Sequence, residues 1–304
     1  MNDKPLSIDS VQAMLAGADY ICPRPLAAAV FLSLKLGRPL FLEGEAGVGK
    51  TAIASAIAMA SGSELIRLQC YEGLDSASAV CEWNFSAQMI AIRTAEASGG
   101  IARGELQKEL FSEEFLVARP LLKALRPPDG RPPVLLIDEI DRTDEPFEAF
   151  LLEALSEFQI TIPELGTIKA EQPPIVILTS NRTREVHDAL KRRCFYHWVD
   201  FPDFEQETRI VELHAPLASQ RLSREVVAFV QRLRAEDLFK RPGIAETIDW
   251  AKCLLALDIT VLSPAVIADT VGAVLKYKDD IQRLQEFDLD RMLEQATADA
   301  GMAD

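Results

Sequence analysis

The string Gly44-Glu45-Ala46-Gly47-Val48-Gly49-Lys50-Thr51 fits the P-loop pattern at every required position. Cradling a polyphosphate needs several consecutive backbone N–H groups aimed inward, which a Gly-punctuated turn entering a helix N-terminus provides. Gly44, Gly47 and Gly49 supply the permissive backbone, Lys50 reaches for the β- and γ-phosphates, and the Thr51 hydroxyl suits Mg²⁺. The plainer alternative is a Gly-rich turn that binds nothing. Apolar Leu40-Phe41-Leu42 before the string and a small-residue helix after it favour the phosphate loop. A second acidic position is Asp138-Glu139, closing the run Val134-Leu135-Leu136-Ile137. There Asp138 would hold Mg²⁺ through water and Glu139 would polarise an attacking water. Asn181 follows the apolar run 175–178 and is placed to orient that water. Arg192 and Arg193 close a basic segment just before another strand.

These groups need a frame that brings strand ends together. Runs apolar at every position indicate strands buried on both faces, as in a parallel sheet covered by helices. Ligands sit beyond the C-terminal ends of such strands. Strands are expected at 40–42, 64–71, 133–137, 175–178 and 194–201, with a hairpin over 159–168. Helices are expected at 7–18, 26–36, 88–98, 103–113, 120–125, 143–157 and 184–193. Residues 72–85 match neither period and read as a protruding loop tipped by Trp83 and Phe85, or as a segment packed on its own subunit. Tyr20 and Ile21 are candidate contacts for a base ring, or ordinary core residues. Beyond Phe204 helical spacing recurs at 205–213, 223–234, 243–257 and 263–277; the tail from Asp279 is acidic, and its small, polar last residues read as a frayed end. The expected division is an α/β domain over 1–203 and a helical one over 204–304.

The 304 residues carry 47 acidic and 32 basic side chains, a formal charge of −15, with 48% hydrophobic content. That balance describes a globular chain and works against a nucleic-acid motor with a basic face. Five scattered cysteines and three histidines, none in ligand spacing, read as reduced thiols in a cytoplasm without a structural zinc site. No leader-like apolar region stands near the start, and no run approaches a membrane span.

Taken together, the loop 44–51, Asp138-Glu139, Asn181 and Arg192-Arg193, followed by a helical region, resemble an AAA+ ATPase over nearly the whole chain. Asp-Glu-Ile-Asp-Arg at 138–142, Phe-Leu-Leu-Glu-Ala-Leu-Ser-Glu at 150–157 and the hairpin resemble the MoxR branch. Residues 68–90, with Tyr71-Glu72-Gly73 and Glu82-Trp83-Asn84, and Tyr196-His197-Trp198 are most similar to CoxD-type members, associated with maturation of carbon monoxide dehydrogenase and related molybdenum hydroxylases. The resemblance implies a five-stranded parallel sheet sandwiched by helices, a smaller all-helical lid, and ATP with Mg²⁺. Gly44, Glu45, Ala46, Gly47, Val48, Gly49, Lys50 and Thr51 would bind nucleotide, Asp138 and Glu139 would be the Walker B pair, and Asn181 sensor 1. Arg193, with Arg192 as alternative, falls at the arginine-finger position, which completes a neighbouring subunit's site. One departure is the stretch Gly243-Ile244-Ala245-Glu246-Thr247, where relatives place a sensor 2 arginine. Arg241 could replace it only if the preceding loop turns inward. The segments 72–85 and 159–168 would be insertions near a pore or partner face.

The implied function is a hexameric ring that remodels a client metalloenzyme with a von Willebrand A (VWA) domain adaptor, without nucleic acid or membrane span. Two alternatives share the core: a motor acting on nucleic acid, and a nucleotide-gated scaffold with slow hydrolysis.

Overall fold

In chain order the strands are β1 (Leu40–Glu43), β2 (Leu65–Gln69), β3 (Cys81–Trp83), β4 (Leu116–Ala118), β5 (Val134–Asp138), β6 (Gln159–Ile162), β7 (Gly166–Lys169), β8 (Ile175–Ser180) and β9 (Phe195–Trp198). Apolar runs buried on both faces form β1, β5 and β8, while the remaining strands are shorter, alternating or partly exposed. The computed structural model describes residues 6–97, 109–299 and 301. Five strands form one parallel sheet in the order β2-β5-β8-β1-β9. Every residue of β1 and β5 is buried. The register aligns Gln69 with Asp138, Ile137 with Leu178 and Glu43 with Ser180. The ends of β5, β8 and β1 therefore lie side by side.

The chain divides into two compact units, one of residues 1–18, 22–43 and 51–198, the other of 19–21, 44–50 and 199–304. In the first, Phe41, Leu135, Ile137, Val176 and Leu178 from the sheet pack with Phe147, Leu151 and Leu155. Those last three come from helix Glu145–Glu157, started by Asp144, whose side chain accepts from Phe147 N, and by Pro146 in the first turn. Phe158, left-handed at φ 48°, ends it. Leu151 is fully buried, so Leu151→Ala would cost about 2–5 kcal/mol. In the second unit, helices Phe204–His214, Gln220–Ala235 and Ile244–Ala256 enclose Val226, Phe229, Val230, Trp250 and Leu254. Among the described residues, no helix is long and apolar enough to cross a membrane.

Three expectations need correction, and the acidic tail adds two helices. Residues 72–85 are no free loop: Asp75 caps a short helix, Ser76–Val80, and β3 pairs antiparallel with β4. Leu74, Ala79 and Val80 enter the core, and Trp83 meets Phe111 edge to face. The short apolar spacing of this segment lacked a recognisable period because its helix and strand are only a few residues each. The helix expected over 184–193 begins only at Asp188. Arg184 Nε donates to the Thr143 carbonyl at 2.7 Å and His187 N to Glu148 at 2.7 Å, which holds 184–187 out of the helix. The helix expected over 263–277 stops at Thr270 and gives way to a 3₁₀ turn. The end of the chain carries helices Lys278–Glu286 and Leu289–Asp299, whose Leu284, Met292 and Ala296 are buried. Their acids lie mostly outside the apolar stripe, so acidic composition concealed an amphipathic pattern. The helix expected over 103–113 falls largely outside the described residues.

Candidate functional site

The loop Gly44–Lys50 belongs to the second unit. Lys50 folds back, donating to the Gly44 carbonyl at 2.8 Å and the Glu45 carbonyl at 2.6 Å, and is buried. Gly47 and Gly49 have φ of 83° and 88°, a left-handed backbone that side chains with a Cβ seldom adopt. Within the same unit Ile244 N donates to the Gly47 carbonyl at 2.9 Å. Arg241, the candidate replacement for the missing sensor 2 arginine, pairs with Glu45 at 3.2 Å. Tyr20 and Ile21 are half-buried, and the Ile21 carbonyl accepts from Gln206 at 3.5 Å.

The acids form a connected cluster in the first unit. Asp138 is buried, and its Oδ1 accepts from the Thr51 hydroxyl at 3.1 Å and the Thr179 hydroxyl at 2.5 Å, while Arg67 pairs with Oδ2. Glu139 is left-handed at φ 57°, a sparsely populated conformation for this residue type. That turn sends its side chain off the strand line, where it accepts from Asn181 Nδ2 at 3.2 Å, Gln69 Nε2 at 3.1 Å and Arg142 Nε at 2.8 Å. Its main-chain N–H donates to Thr179 Oγ1 at 3.0 Å. Asp141 braces the opposing strand end, accepting from Asn181 N at 3.1 Å, Thr183 N at 2.8 Å and Thr183 Oγ1 at 2.7 Å. Burial pushes its carboxyl upward, but the Thr183 and Asn181 hydrogen bonds outweigh burial and hold it below the usual value.

The Thr51 hydroxyl and Asp138 Oδ1 stand 3.1 Å apart and are hard oxygens, the donor type Mg²⁺ prefers, so the pair fits that ion, with Thr51 to ligate it and Asp138 to hold it through water. Glu43, buried at the end of β1 just ahead of the loop, is matched by Lys191 at 3.2 Å and by the Tyr196 hydroxyl at 2.9 Å. Burial, then the Glu43 hydrogen bond and charge, push the Tyr196 phenol up to about 12. Arg192 and Arg193 are exposed at the end of helix Asp188–Arg193, ahead of β9. Arg193 Nη1 donates to the Leu152 carbonyl at 2.8 Å.

The structure thus brings Thr51, Asp138, Glu139 and Asn181 together. It adds Thr179, Asp141, Thr183, Gln69, Arg67 and Arg142, which sequence reasoning did not assign. Thr179 had a usable signal: it is the first polar residue after the apolar run of β8, one position before Ser180 and beside the end of β5.

A parallel sheet in which β1 is followed in the chain by a glycine loop and helix Lys50–Ser61, and β5 ends at two acids, defines a P-loop nucleoside triphosphatase. Residues 40–202 match the ATPase family associated with various cellular activities (AAA), and the chain belongs to that family. It is an ATPase that works with ATP and Mg²⁺. Among similar curated proteins is the gas vesicle ATPase GvpN2 of Halobacterium salinarum, 27% identical over 282 residues, covering 88% of this chain and 76% of that one. Another is the gas vesicle ATPase GvpN of Haloferax mediterranei, 25% identical, covering 83% and 73%. Among solved structures, the Thermotoga maritima RuvB Holliday junction branch migration motor aligns at 18% identity and a TM-score of 0.45, over 91% of this chain and 74% of that one.

Proposed function

We propose that this ATPase is a MoxR-type remodeller of a protein client, acting as a ring of identical subunits, most simply a hexamer. Lys50 binds the β- and γ-phosphates; Thr51, and Asp138 through water, would hold Mg²⁺, which would offset the charge of the phosphates. Glu139 takes a proton from water as its oxygen bonds to the γ-phosphorus and the bond to the departing ADP oxygen breaks. Asn181 and Gln69 steer the Glu139 carboxylate, and Asp141 steadies Asn181. The observation that carries this reading is the cluster in which Asn181, Gln69 and Arg142 all converge on Glu139, within hydrogen-bond reach.

The client proposed on the CoxD-type resemblance is a metalloenzyme awaiting its cofactor, such as a molybdenum hydroxylase, with a VWA-domain adaptor, in a cytoplasm. The domain division behind it is an α/β body over 1–203 and a lid over 204–304. Similarity to gas vesicle ATPases favours a second reading, a role with gas vesicle proteins. Both are protein clients, consistent with a formal charge of −15. A nucleic-acid motor would show DNA-stimulated hydrolysis, and a slow scaffold would bind ATP without turnover.

Arg193, or Arg192 beside it, supplies the cation that a neighbouring subunit's γ-phosphate needs. Mixing tests this. Arg193→Ala and Glu139→Gln subunits, each inactive alone, should regain partial activity when co-assembled, because some interfaces then pair an intact acid with an intact arginine. A mixture that stays inactive although mixed rings form refutes the shared site. For the client, Glu139→Gln loaded with ATP should retain it in affinity capture from the native cell. Recovery of gas vesicle proteins in place of a molybdenum hydroxylase and its adaptor would decide for the second reading.

A further inference from the structure

A buried ion pair is by itself weak evidence of stability, because desolvating two charges offsets their attraction. The second unit contains such a pair, which calls for a positional explanation. Arg234 is 8% exposed and Glu207 fully buried. Two parallel contacts join them, Nη1 to Oε2 at 2.6 Å and Nη2 to Oε1 at 2.8 Å. The guanidinium lies over the Phe201 ring, 4.4 Å from its centroid. Its remaining donors go forward along the chain: Nε to the Pro242 carbonyl at 2.7 Å and Nη2 to the Thr247 hydroxyl at 3.1 Å. That hydroxyl lies 2.9 Å from Glu207 and 3.1 Å from the Gly243 carbonyl. The cluster therefore grips residues 242–247, where helix Ile244–Ala256 begins.

That helix start is pressed on the phosphate loop. A Cβ added at Gly243 would lie 2.7 Å from Gly47 Cα, and one added at Gly47 would lie 2.7 Å from Gly243 Cα. Neither spacing is tolerated, so the two backbones meet glycine to glycine. The next residue, Ile244, donates its N–H to the Gly47 carbonyl at 2.9 Å. The Gly47–Val48 peptide is trans, and in a trans peptide the carbonyl and the following N–H point opposite ways. Tying down the Gly47 carbonyl fixes that peptide plane and turns the Val48 N–H away from helix Ile244–Ala256, leaving it free of that helix for a phosphate.

We propose that Glu207, Arg234 and Thr247 are positioning residues for nucleotide binding: they hold Gly243-Ile244 against Gly47 and so set the phosphate loop in its binding conformer. This is a main-chain device acting on the loop, unlike a sensor 2 side chain, which would answer to the γ-phosphate alone. It therefore makes a claim about the ligand: diphosphate and triphosphate binding depend on it equally. The proposal rests on the reading of residues 44–51 as the phosphate loop, which Lys50→Ala tests separately. If Lys50→Ala binds both nucleotides undiminished, that reading fails irrespective of the junction.

The experiment titrates fluorescent ADP and a non-hydrolysable ATP analogue against the full chain. Gly243→Ala should weaken both by about tenfold or more, to a similar extent, because the added carbon parts the two backbones. Gly272→Ala, where an added Cβ meets nothing within 4 Å, should bind as wild type. Thr247→Ser should retain affinity while Thr247→Val loses it. Because removing one charge alone strands the other, the pair is tested as Glu207→Leu with Arg234→Met, an apolar replacement expected to fold and to lose both nucleotides alike at little change in melting temperature. Wild-type affinity in Gly243→Ala, or in the folded double variant, overturns the proposal. So does a loss confined to the triphosphate analogue, which would mark γ-phosphate sensing instead.

Discussion

Replacing Thr179 with valine keeps shape and volume and removes one buried oxygen that serves both acids. Its hydroxyl donates to Asp138 at 2.5 Å and accepts the Glu139 N–H at 3.0 Å. The first is a hydrogen bond to a carboxylate, worth about 1.5–3 kcal/mol net, and the second leaves a part-buried donor without its partner, costing about 1–3 kcal/mol. The two losses share one side chain and do not add fully, so Thr179→Val should destabilise by about 3 kcal/mol. For a cooperative unit of this size that lowers the melting temperature by roughly 6–12 °C. Activity should fall further than stability does, because the left-handed Glu139 loses the bond that fixes its peptide, and Asp138 loses a partner on the oxygen it presents to Thr51. Differential scanning calorimetry reads the first effect, and a Mg²⁺ titration of hydrolysis below the melting range reads the second as a raised metal requirement. Thr179→Ser restores the hydroxyl and should recover most of both. Wild-type stability and metal dependence in Thr179→Val, or a serine variant as impaired as valine, would refute the reasoning.

Lys50→Ala should lose nucleotide binding, whereas Glu139→Gln should keep binding and lose turnover, as measured by nucleotide titration beside phosphate release. The Asp141 carboxyl is held below its ordinary value in the folded protein, so its stabilisation is complete above about pH 4 and is lost as pH falls through the depressed folded value. Asp141→Asn should accordingly be less stable than wild type near neutrality by about 2 kcal/mol, with the gap in denaturant melts closing on acidification below pH 4. All five cysteines are free thiols, and burial raises those of Cys22, Cys70 and Cys194 to about 12 while Cys253 is exposed. Thiol titration of the native protein should report Cys253 first, and titration after denaturation without reductant should report all five.

What the sequence made legible was whatever a short stretch determines alone. The glycine loop, the apolar runs of β1, β5 and β8, and the polar residues ending them follow from local composition, and their order along the chain sufficed to place Asp138, Glu139 and Asn181 at the same end of the sheet. What it hid depends on register between strands. Gln69 reaches Glu139 because β2 aligns Gln69 with Asp138, and no pattern within 64–71 states that alignment. Arg142 and Asp141 were visible as charges but not as partners, since the turn after Glu139 decides which way they face. Residues 184–187 failed for a related reason: Arg184 has helical propensity, yet Thr143 and Glu148 offer it tertiary bonds that a helix would break.

The same distinction bears on the two arginines. Position in the chain puts Arg193 first, because it stands immediately before the last strand of the sheet. The structure gives the pair unequal freedom: Arg193 is tethered to the Leu152 carbonyl, whereas the Arg192 guanidinium has no hydrogen-bond or ion-pair partner among the described residues. Their main chains are fixed alike, since Arg38 donates to the Arg192 carbonyl at 2.8 Å and the Arg193 carbonyl at 3.2 Å while lying over the Phe195 ring. On the proposed ring reading, a cation that must leave its own subunit to meet a phosphate gives up whatever it already holds. Arg193 would break one charge-assisted hydrogen bond to a carbonyl, a net cost of about 1.5–3 kcal/mol, and Arg192 would break none. That difference is small beside the 10³- to 10⁵-fold in turnover that a finger contributes in nucleotide hydrolases. The tether therefore does not disqualify Arg193, and single alanine variants decide between them: the finger's loss should remove turnover at nearly unchanged nucleotide affinity, while its neighbour's should cost little. Full turnover in both variants would refute a finger at this helix end altogether.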